Sequence, residues 1–577
     1  MVRYSDSASP DEAVLIETDD FALVYDRRNR AFHKKRWDSS TKSWTTKKAP
    51  YSAIVCKDGS TVWAEDASGK TIASGEAGVD DASVIQSAIN SLESGNVMRL
   101  RAGVYKLSEG LQIQKGVHIV GEGYKSDKDH NLGAVIEYEG AGVALDFGGS
   151  DQFYYGGGAQ NITLRNPSTT KQGTGIRFQR VALLRLEHVR VQNFKTGVEI
   201  AGCWEPYVSD IQVAECGDSA SSSPAMKVAA MGDTSADQTN NAHFINLHFG
   251  GCEYIALSIE TNCYRLTFKG ITAEIQYYSC IGIKNLAHDV DFTNLEIYGG
   301  NPCLQLGDSG VHTHRVKISS GTLYGKEDAN VVRVINLFDS SLSNLVIMPV
   351  GGHGIDGDNL YRVAFNGIII RSTKDATDKA GFYLENGRQI NVVGSHIKDV
   401  FSRAIYTYNI NGLAITGCTF EECAKQTGHY TVHLESCYNA IVEGNTFYSS
   451  LADYPVRAVY ATNPTNVKVT NNILYGYLGS NPISFAGTIT DSKIAGNIGY
   501  ATENSGTATF SGDGTTTQFS IAHGLVSTPT KVLVTPMTAD AASDFYVTAD
   551  DTNIYINYKS APPSGTDNLK FSWYAEV

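Results

Sequence analysis

From about residue 134 to residue 500 the chain repeats one texture. Three to six residues alternate apolar and polar, and a polar corner carrying Asn or Gly follows. AQNITLRN, LRLEHVRVQNF, AHFINLHFGG, VDFTNLEIYGG, YRVAFNGIII, LAITGCTFEE and AIVEGNTFYSS are successive examples. Such segments recur at intervals of about 20–30 residues, room for three short strands and three turns, which is the signature of a solenoid. Alternation buries one side chain in two, and the tight corners favour Gly or Asn, whose amide can bond the corner of the next turn. NNI, GNTF, NGL and GCTF fit such corners. The pattern predicts a single-stranded parallel β-helix.

The flanks read differently. Residues 1–75 read as a separate small β-rich unit, with short strands divided by turns such as KDG and SGK. Its basic run His33–Arg36 reads as a solvated turn. Between residues 76 and 123, Val84, Ile85, Ala88, Ile89 and Leu92 recur at helical spacing behind Asp80 and Asp81, which suit a helix N-terminus. That helix is expected to cap the lower end of the solenoid, residues 76–503, whose strand edges would otherwise be open. Residues 504–577 carry longer alternating strands (KVLVTP, DFYVTA, NIYINY, LKFSWYAEV) and predict an antiparallel β-sandwich, for trimerisation or carbohydrate binding.

The segment GVDDASVIQSAINSLESGNVMRLRAGVYKLSEGLQIQKGVHIVGEG resembles the entry segment of the pectate-lyase-like superfamily. The likeness rests on Asp80–Asp81, Ile85–Gln86, Ala88–Ile89, Gly103 with Tyr105, and Gly121–Gly123. It covers roughly 76–500, and Arg101 stands where the pattern usually has Pro. The resemblance implies an all-β, right-handed parallel β-helix. The whole layout also resembles a viral tailspike or polysaccharide depolymerase. That likeness implies a homotrimer on a virion surface or outside the cell, with a polysaccharide as partner. The superfamily holds lyases, hydrolases, epimerases and tailspikes, so fold leaves the chemistry open. A non-catalytic receptor-binding spike, or a free extracellular enzyme or epimerase, remains the alternative.

Composition narrows the partners. The 577 residues carry 61 acidic against 47 basic side chains, a net charge of -14, which disfavours a nucleic acid. No apolar run reaches membrane-spanning length, and the start MVRYSDSASPDEAVLIE does not read as a secretory signal. The ten Cys show no C-x-x-C pair and read as packed free thiols, not metal ligands. No cofactor is implied. Asp233, Asp237, Asp375 and Asp378 are the weak candidates for calcium, but their spacing matches no calcium loop and solvated turns are expected.

The candidate chemistry is a set of corner acids. Aligning rungs places Glu260, Asp356, Glu385 and Glu435 at about the same corner, with Asp308 one residue off. Asp356 and Glu385, on neighbouring rungs, should lie close. Adjacent carboxylates can separate into an acid and a base, as glycoside hydrolysis requires, and a lyase would need a base and a cation to hold a uronate. Asp356, Glu385, Asp308 and Glu435 are therefore the candidate catalytic residues, and Arg388 the candidate cation. Gly352-His353-Gly354 lacks the partners a polygalacturonase would need and reads as a tight corner, although His353 stands near the acids. Sugars stack on aromatic rings. Trp204 and Tyr207, in a loop, and Tyr406 and Tyr408, one rung above Glu385, complete the candidate substrate-binding set with His353 and Arg388. Tyr277, Tyr278, Tyr298, Tyr454 and Tyr460 are further rings on the body. Two loops, 214–243 and 372–381, break the rhythm and could wall a groove.

Overall fold

The computed structural model describes residues 51–123, 133–274, 278–283, 286–310, 312–372, 374–426, 428–450, 457–477 and 481–577, and as backbone Ile275 and the strands Glu12–Glu17, Phe21–Asp26, Ala31–Asp38 and Ser43–Thr46. The side chains of His33–Arg36, Tyr277 and Tyr454 lie outside the described set. The chain divides into two units, Met1–Cys252 and Glu253–Val577.

In the first unit the four leading strands form an antiparallel sheet in chain order. Ala53–Asp58 then pairs in parallel with Val97–Leu100, so the meander of residues 53–76 shares the sheet of the first rungs. The periodic segment forms one helix, Asp81–Asn90, which buries Val84, Ile85, Ala88 and Ile89. Asp81 is itself fully buried. Its carboxylate accepts from Lys57 Nζ at 2.6 Å, from the Lys106 amide at 2.7 Å and from the Gly78 amide at 2.9 Å. The helix N-terminus is thus tied to the strand Gly103–Leu107, in which Tyr105 is buried and donates to the Arg101 carbonyl. Above it parallel strands stack in register, for example Gly158–Arg165 on Arg185–Gln192 on Tyr207–Ala214. The stretch read as one long loop, 214–243, contains a strand, Met226–Ala229, that pairs with Thr196–Ala201.

The second unit continues the same logic. Parallel strands such as Ile355–Asn366, Ala380–Val393 and Arg403–Thr416 lie directly over one another. Inward positions are apolar and stack like on like: Phe268 on Phe292 at 4.9 Å and Phe420 on Phe447 at 4.7 Å. Two kinds of Asn hold the corners. Asn445, Asn472 and Asn497 form a buried ladder in which each Nδ2 donates to the next Oδ1 at 2.9–3.0 Å. The same oxygens accept the backbone N–H groups of Cys418, Asn445 and Asn472. Asn336, Asn359, Asn386, Asn409 and Asn463 instead sit at an outer corner with φ between 49° and 54°, a left-handed conformation that Asn tolerates better than most residues. All ten Cys are buried and unpaired with one another, and burial pushes thiols such as Cys203 up to about 12.

The last section forms two three-stranded antiparallel sheets. Glu503–Gly512, Gly565–Glu576 and Lys531–Pro536 make one, and Gln518–Ala522, Asn553–Tyr558 and Phe545–Ala549 the other. Phe519, Ile554, Ile556, Leu569, Phe571 and Trp573 fill the core between them, as alternation predicts for a sandwich. Among the described residues no helix is long and apolar enough to cross a membrane.

Candidate functional site

The acids and tyrosines of the second unit stand on one outward face, set by strand register. In the strands Val332–Ile335, Ile355–Asn366, Ala380–Val393, Arg403–Thr416 and Tyr430–Glu435, every second side chain points out. One outward column runs Arg333, Asp356, Tyr383, Tyr406, His433, Tyr460. The neighbouring column runs Asp358, Glu385, Tyr408, Glu435 and ends at the outer Asn corner.

This register corrects the sequence alignment. Asp358, not Asp356, is directly opposite Glu385; Asp356 lies opposite Tyr383 and is the diagonal neighbour of Glu385. Asp356 and Glu385 therefore share a face and adjacent rungs but not a column. Tyr408 is opposite Glu385 and Tyr406 opposite Tyr383, one rung on. Glu435 follows two rungs beyond Glu385, with Tyr408 between. Asp308 does not join the acids: its carboxylate accepts from the Ser309 amide at 2.7 Å and caps its own turn.

The acids on the face are held by hydrogen bonds, Asp358 among them through Asn386 Nδ2 at 3.0 Å, whereas the two ring nitrogens of His433 have no hydrogen-bond partner among the described residues. Tyr383 donates to Glu385 at 2.7 Å, and Tyr406 donates to Glu435 at 2.8 Å across a rung. The two rings stack at 5.0 Å with planes 23° apart. Burial and the bond to Glu385 push the Tyr383 phenol up to about 12, so it stays a donor. Arg403 lies 5.2 Å over the Tyr406 ring. Asp356 accepts from Asn330 Nδ2 at 2.7 Å. Burial raises its carboxyl; Arg333 and the Asn330 bond oppose that, while Glu385 and Asp358 add to it. The face thus holds a carboxyl with raised proton affinity beside two further acids and a pair of stacked rings, a combination suited to proton transfer on a stacked ligand.

The histidines are structural neighbours of this surface. His353 is buried, packs 4.6 Å from Tyr383, and accepts the Ala380 N–H at 3.0 Å through Nδ1. That nitrogen is committed to the backbone, and His353 stands in the corner that its Gly-His-Gly context suggests. His433 is ringed by Tyr406, Tyr430 and Tyr460 at 5.2–5.4 Å. Burial holds both imidazoles at about 4.

Arg388 stands past the corner formed by Asn386 and Gly387, on the next strand segment, opposite Tyr361 and Asn411. It is not on the face of the acids. Trp204 and Tyr207 belong to the first unit. Trp204 packs 4.5 Å from Phe153 and is half-buried, whereas Tyr207 opens a strand and is exposed, with Arg185 5.7 Å over its ring. Of the calcium candidates, Asp237 is held by Arg180 at 2.5 Å and by Thr234, and Asp378 lies 3.4 Å from His429. Among the described residues no group of three or more His, Cys, Asp or Glu is placed to hold a metal ion. Sequence reasoning passed over Asp358, Tyr383 and Arg403. The first two were legible: FYLEN alternates, which puts Tyr383 on the face of Glu385, and aligning Asn359 with Asn386 sets Asp358 opposite Glu385.

A family model described as a right handed beta helix region matches residues 279–474, in agreement with the stacked parallel strands. No curated protein matches the chain. Similar solved structures include the tailspike protein gp49 from Pseudomonas phage LKA1, at 13% identity over 86% of this chain and 93% of that one, TM-score 0.40. A mutant tailspike protein of E. coli bacteriophage HK620 in complex with a pentasaccharide is 10% identical over 89% and 92%, TM-score 0.42. The A-module of the Azotobacter vinelandii mannuronan C-5 epimerase AlgE6 is 14% identical over 73% and 96%, TM-score 0.34.

Proposed function

We propose that the chain binds a polysaccharide along the tyrosine-bearing face and hydrolyses it, with Asp356 as general acid and Glu385 as general base. The observation that carries this reading is the raised proton affinity of Asp356 beside Glu385 and the Tyr383–Tyr406 stack. The protonated Asp356 gives its proton to the leaving glycosidic oxygen as that bond breaks. Glu385 takes a proton from the water that bonds to the anomeric carbon. As diagonal neighbours, the two backbones are about 8 Å apart, from about 4.8 Å between strands and about 3.3 Å per residue along them. Tyr406 and Tyr408 serve as platforms and Glu435 fixes the Tyr406 hydroxyl.

The working form is a homotrimer at a cell or virion surface. A solenoid has little cohesion beyond neighbouring rungs. Another face of the second unit exposes Ile473, Tyr475 and Ile498 on adjacent rungs, apolar surface suited to a second copy.

Incubation with a panel of capsular, cell-wall and polyuronate glycans, followed by sizing of the products, tests the reading. Saturated oligosaccharides released by the native chain and not by Glu385→Gln are expected. Products absorbing in the near ultraviolet would reassign the chemistry to elimination, and tight binding with no product would leave a receptor-binding spike.

A further inference from the structure

Past the outer Asn corner, a third outward column runs up the second unit. Tyr264, His288, His314, Phe338 and Tyr361 occupy it on successive rungs, their ring centroids 5.1–5.5 Å apart. The next two positions are Arg388 and Asn411, and the one after is Tyr438, an exposed ring. The ring column is therefore interrupted for two rungs, and Tyr361 and Tyr438 stand three rungs apart, about 14 Å. Between them lies a concavity of about 370 Å³, lined by these residues together with Phe338 and Asn409. Its size is that of a small-ligand site, about 300–1,000 Å³.

The charges around it are unevenly satisfied. One residue further along each strand, left-handed positions alternate in sign and neutralise one another. Arg315 grips Asp289 through Nε at 2.5 Å and Nη2 at 2.9 Å, and Arg362 grips Asp339 with both nitrogens while stacking 4.1 Å from the Tyr361 ring. Arg388 stands outside that column. It is exposed and makes no ion pair among the described residues. Asn411 accepts from Asn439 through Oδ1 at 2.9 Å, which leaves its own N–H groups for a ligand.

We propose that this concavity is a binding site for an acidic saccharide, with Arg388 paired to a sugar carboxylate and Tyr361 and Tyr438 stacked on ring faces at either end. A guanidinium matches a carboxylate with two parallel hydrogen bonds, and aromatic rings take the apolar faces of sugars. Asn409 and Asn411 bond hydroxyls between the two rings. The site rests on the reading of the chain as a glycan binder but not on cleavage, because neither Asp356 nor Glu385 lines it.

The test uses the full chain carrying Glu385→Gln, so that bound sugar is not consumed, and titrates it calorimetrically with tri-galacturonate and with neutral maltotriose. The acidic trimer is expected to bind at least tenfold more tightly. Arg388→Gln should erase that preference, Arg388→Lys should keep part of it, and Tyr438→Ala should weaken both ligands. Equal binding of the two sugars, or an Arg388→Gln chain that holds the acidic one as tightly as its parent, overturns the proposal. Acid-selective, Arg388-dependent binding in a chain whose native form releases no product would sink the cleavage reading and support this one.

Discussion

Tyr406 donates its hydroxyl to Glu435 on the following rung at 2.8 Å while its ring stacks on Tyr383 of the preceding rung. One side chain thus links three turns of the solenoid on the face assigned to glycan. Tyr406→Phe removes only the hydrogen bond and should cost about 1 kcal/mol in urea unfolding, with glycan affinity reduced severalfold. Tyr406→Ala removes the platform as well and should weaken binding at least tenfold. Equal affinities for the two variants would show that the ring does not touch sugar.

Asp356→Asn and Glu385→Gln should each lower cleavage by about 100-fold or more, the scale of a lost acid or base. Asp356 must hold a proton to act, so the rate should fall as pH rises through its raised pKa. The stability effect has a matching sign. Between the ordinary 3.8 and the raised value, the folded chain binds the extra proton, so stability declines as pH rises through that window. Asp356→Asn should remove both dependences. Melting and rate profiles that keep them would assign the titration to another group.

Acid should unfold the chain through its buried imidazoles. Burial holds His353 at about 4 against an ordinary 6.5, and His433 likewise. From pH 6.5 down to about 4 the unfolded chain takes protons that the folded chain refuses, so stability falls with falling pH across that interval. Below about pH 4 the loss from His353 is on the order of 3 kcal/mol. His433→Phe, which keeps a ring among Tyr406, Tyr430 and Tyr460, should flatten the acid limb of urea midpoint against pH. An unchanged slope would mean that His433 is protonated in the fold.

The buried Asn ladder should be costly to break. Asn472 Oδ1 accepts both the backbone N–H and the Nδ2 of Asn445, and its own Nδ2 donates to the Val442 carbonyl and to Asn497. Asn472→Ala orphans several of these groups and should destabilise by about 2–4 kcal/mol. An exposed corner variant, Asn409→Ala, should cost only about 1–2 kcal/mol, because its side-chain groups are reachable by water and the loss is mainly that of placing Ala in a left-handed backbone. Thermal melts of the pair decide the comparison.

Sedimentation equilibrium should give about three times the 62.3 kDa of one chain. Replacing Ile473 and Ile498 together by Glu should dissociate the assembly, since each now exposes apolar surface. A native chain that stays monomeric at micromolar concentration ends the trimer proposal.

Much of the architecture was legible because it is local. Period-two alternation states which side chains are buried, whatever the strand later pairs with, and Asn or Gly marks a corner because few other residues accept its backbone angles. The helix Asp81–Asn90, the stacked short strands and the closing sandwich follow from such cues. The buried ladder of Asn445 and Asn472 also lay in plain view in GNTF and NNI.

Register was not local, and the site depends on it. DGDN offers two acids two residues apart, both on the outward side, and only the pairing of Asn359 with Asn386 decides that Asp358 faces Glu385 and Asp356 faces Tyr383. The corner also parts neighbours in sequence: Arg388 follows Glu385 by three residues, yet the turn at Asn386 carries it to another face beside Tyr361. Composition and alternation determined that this chain winds into stacked rungs with polar corners. Which acids, rings and cations meet was decided by the tertiary structure alone, because contacts between rungs join residues more than twenty positions apart, and a shift of two residues leaves the alternation intact while exchanging every partner.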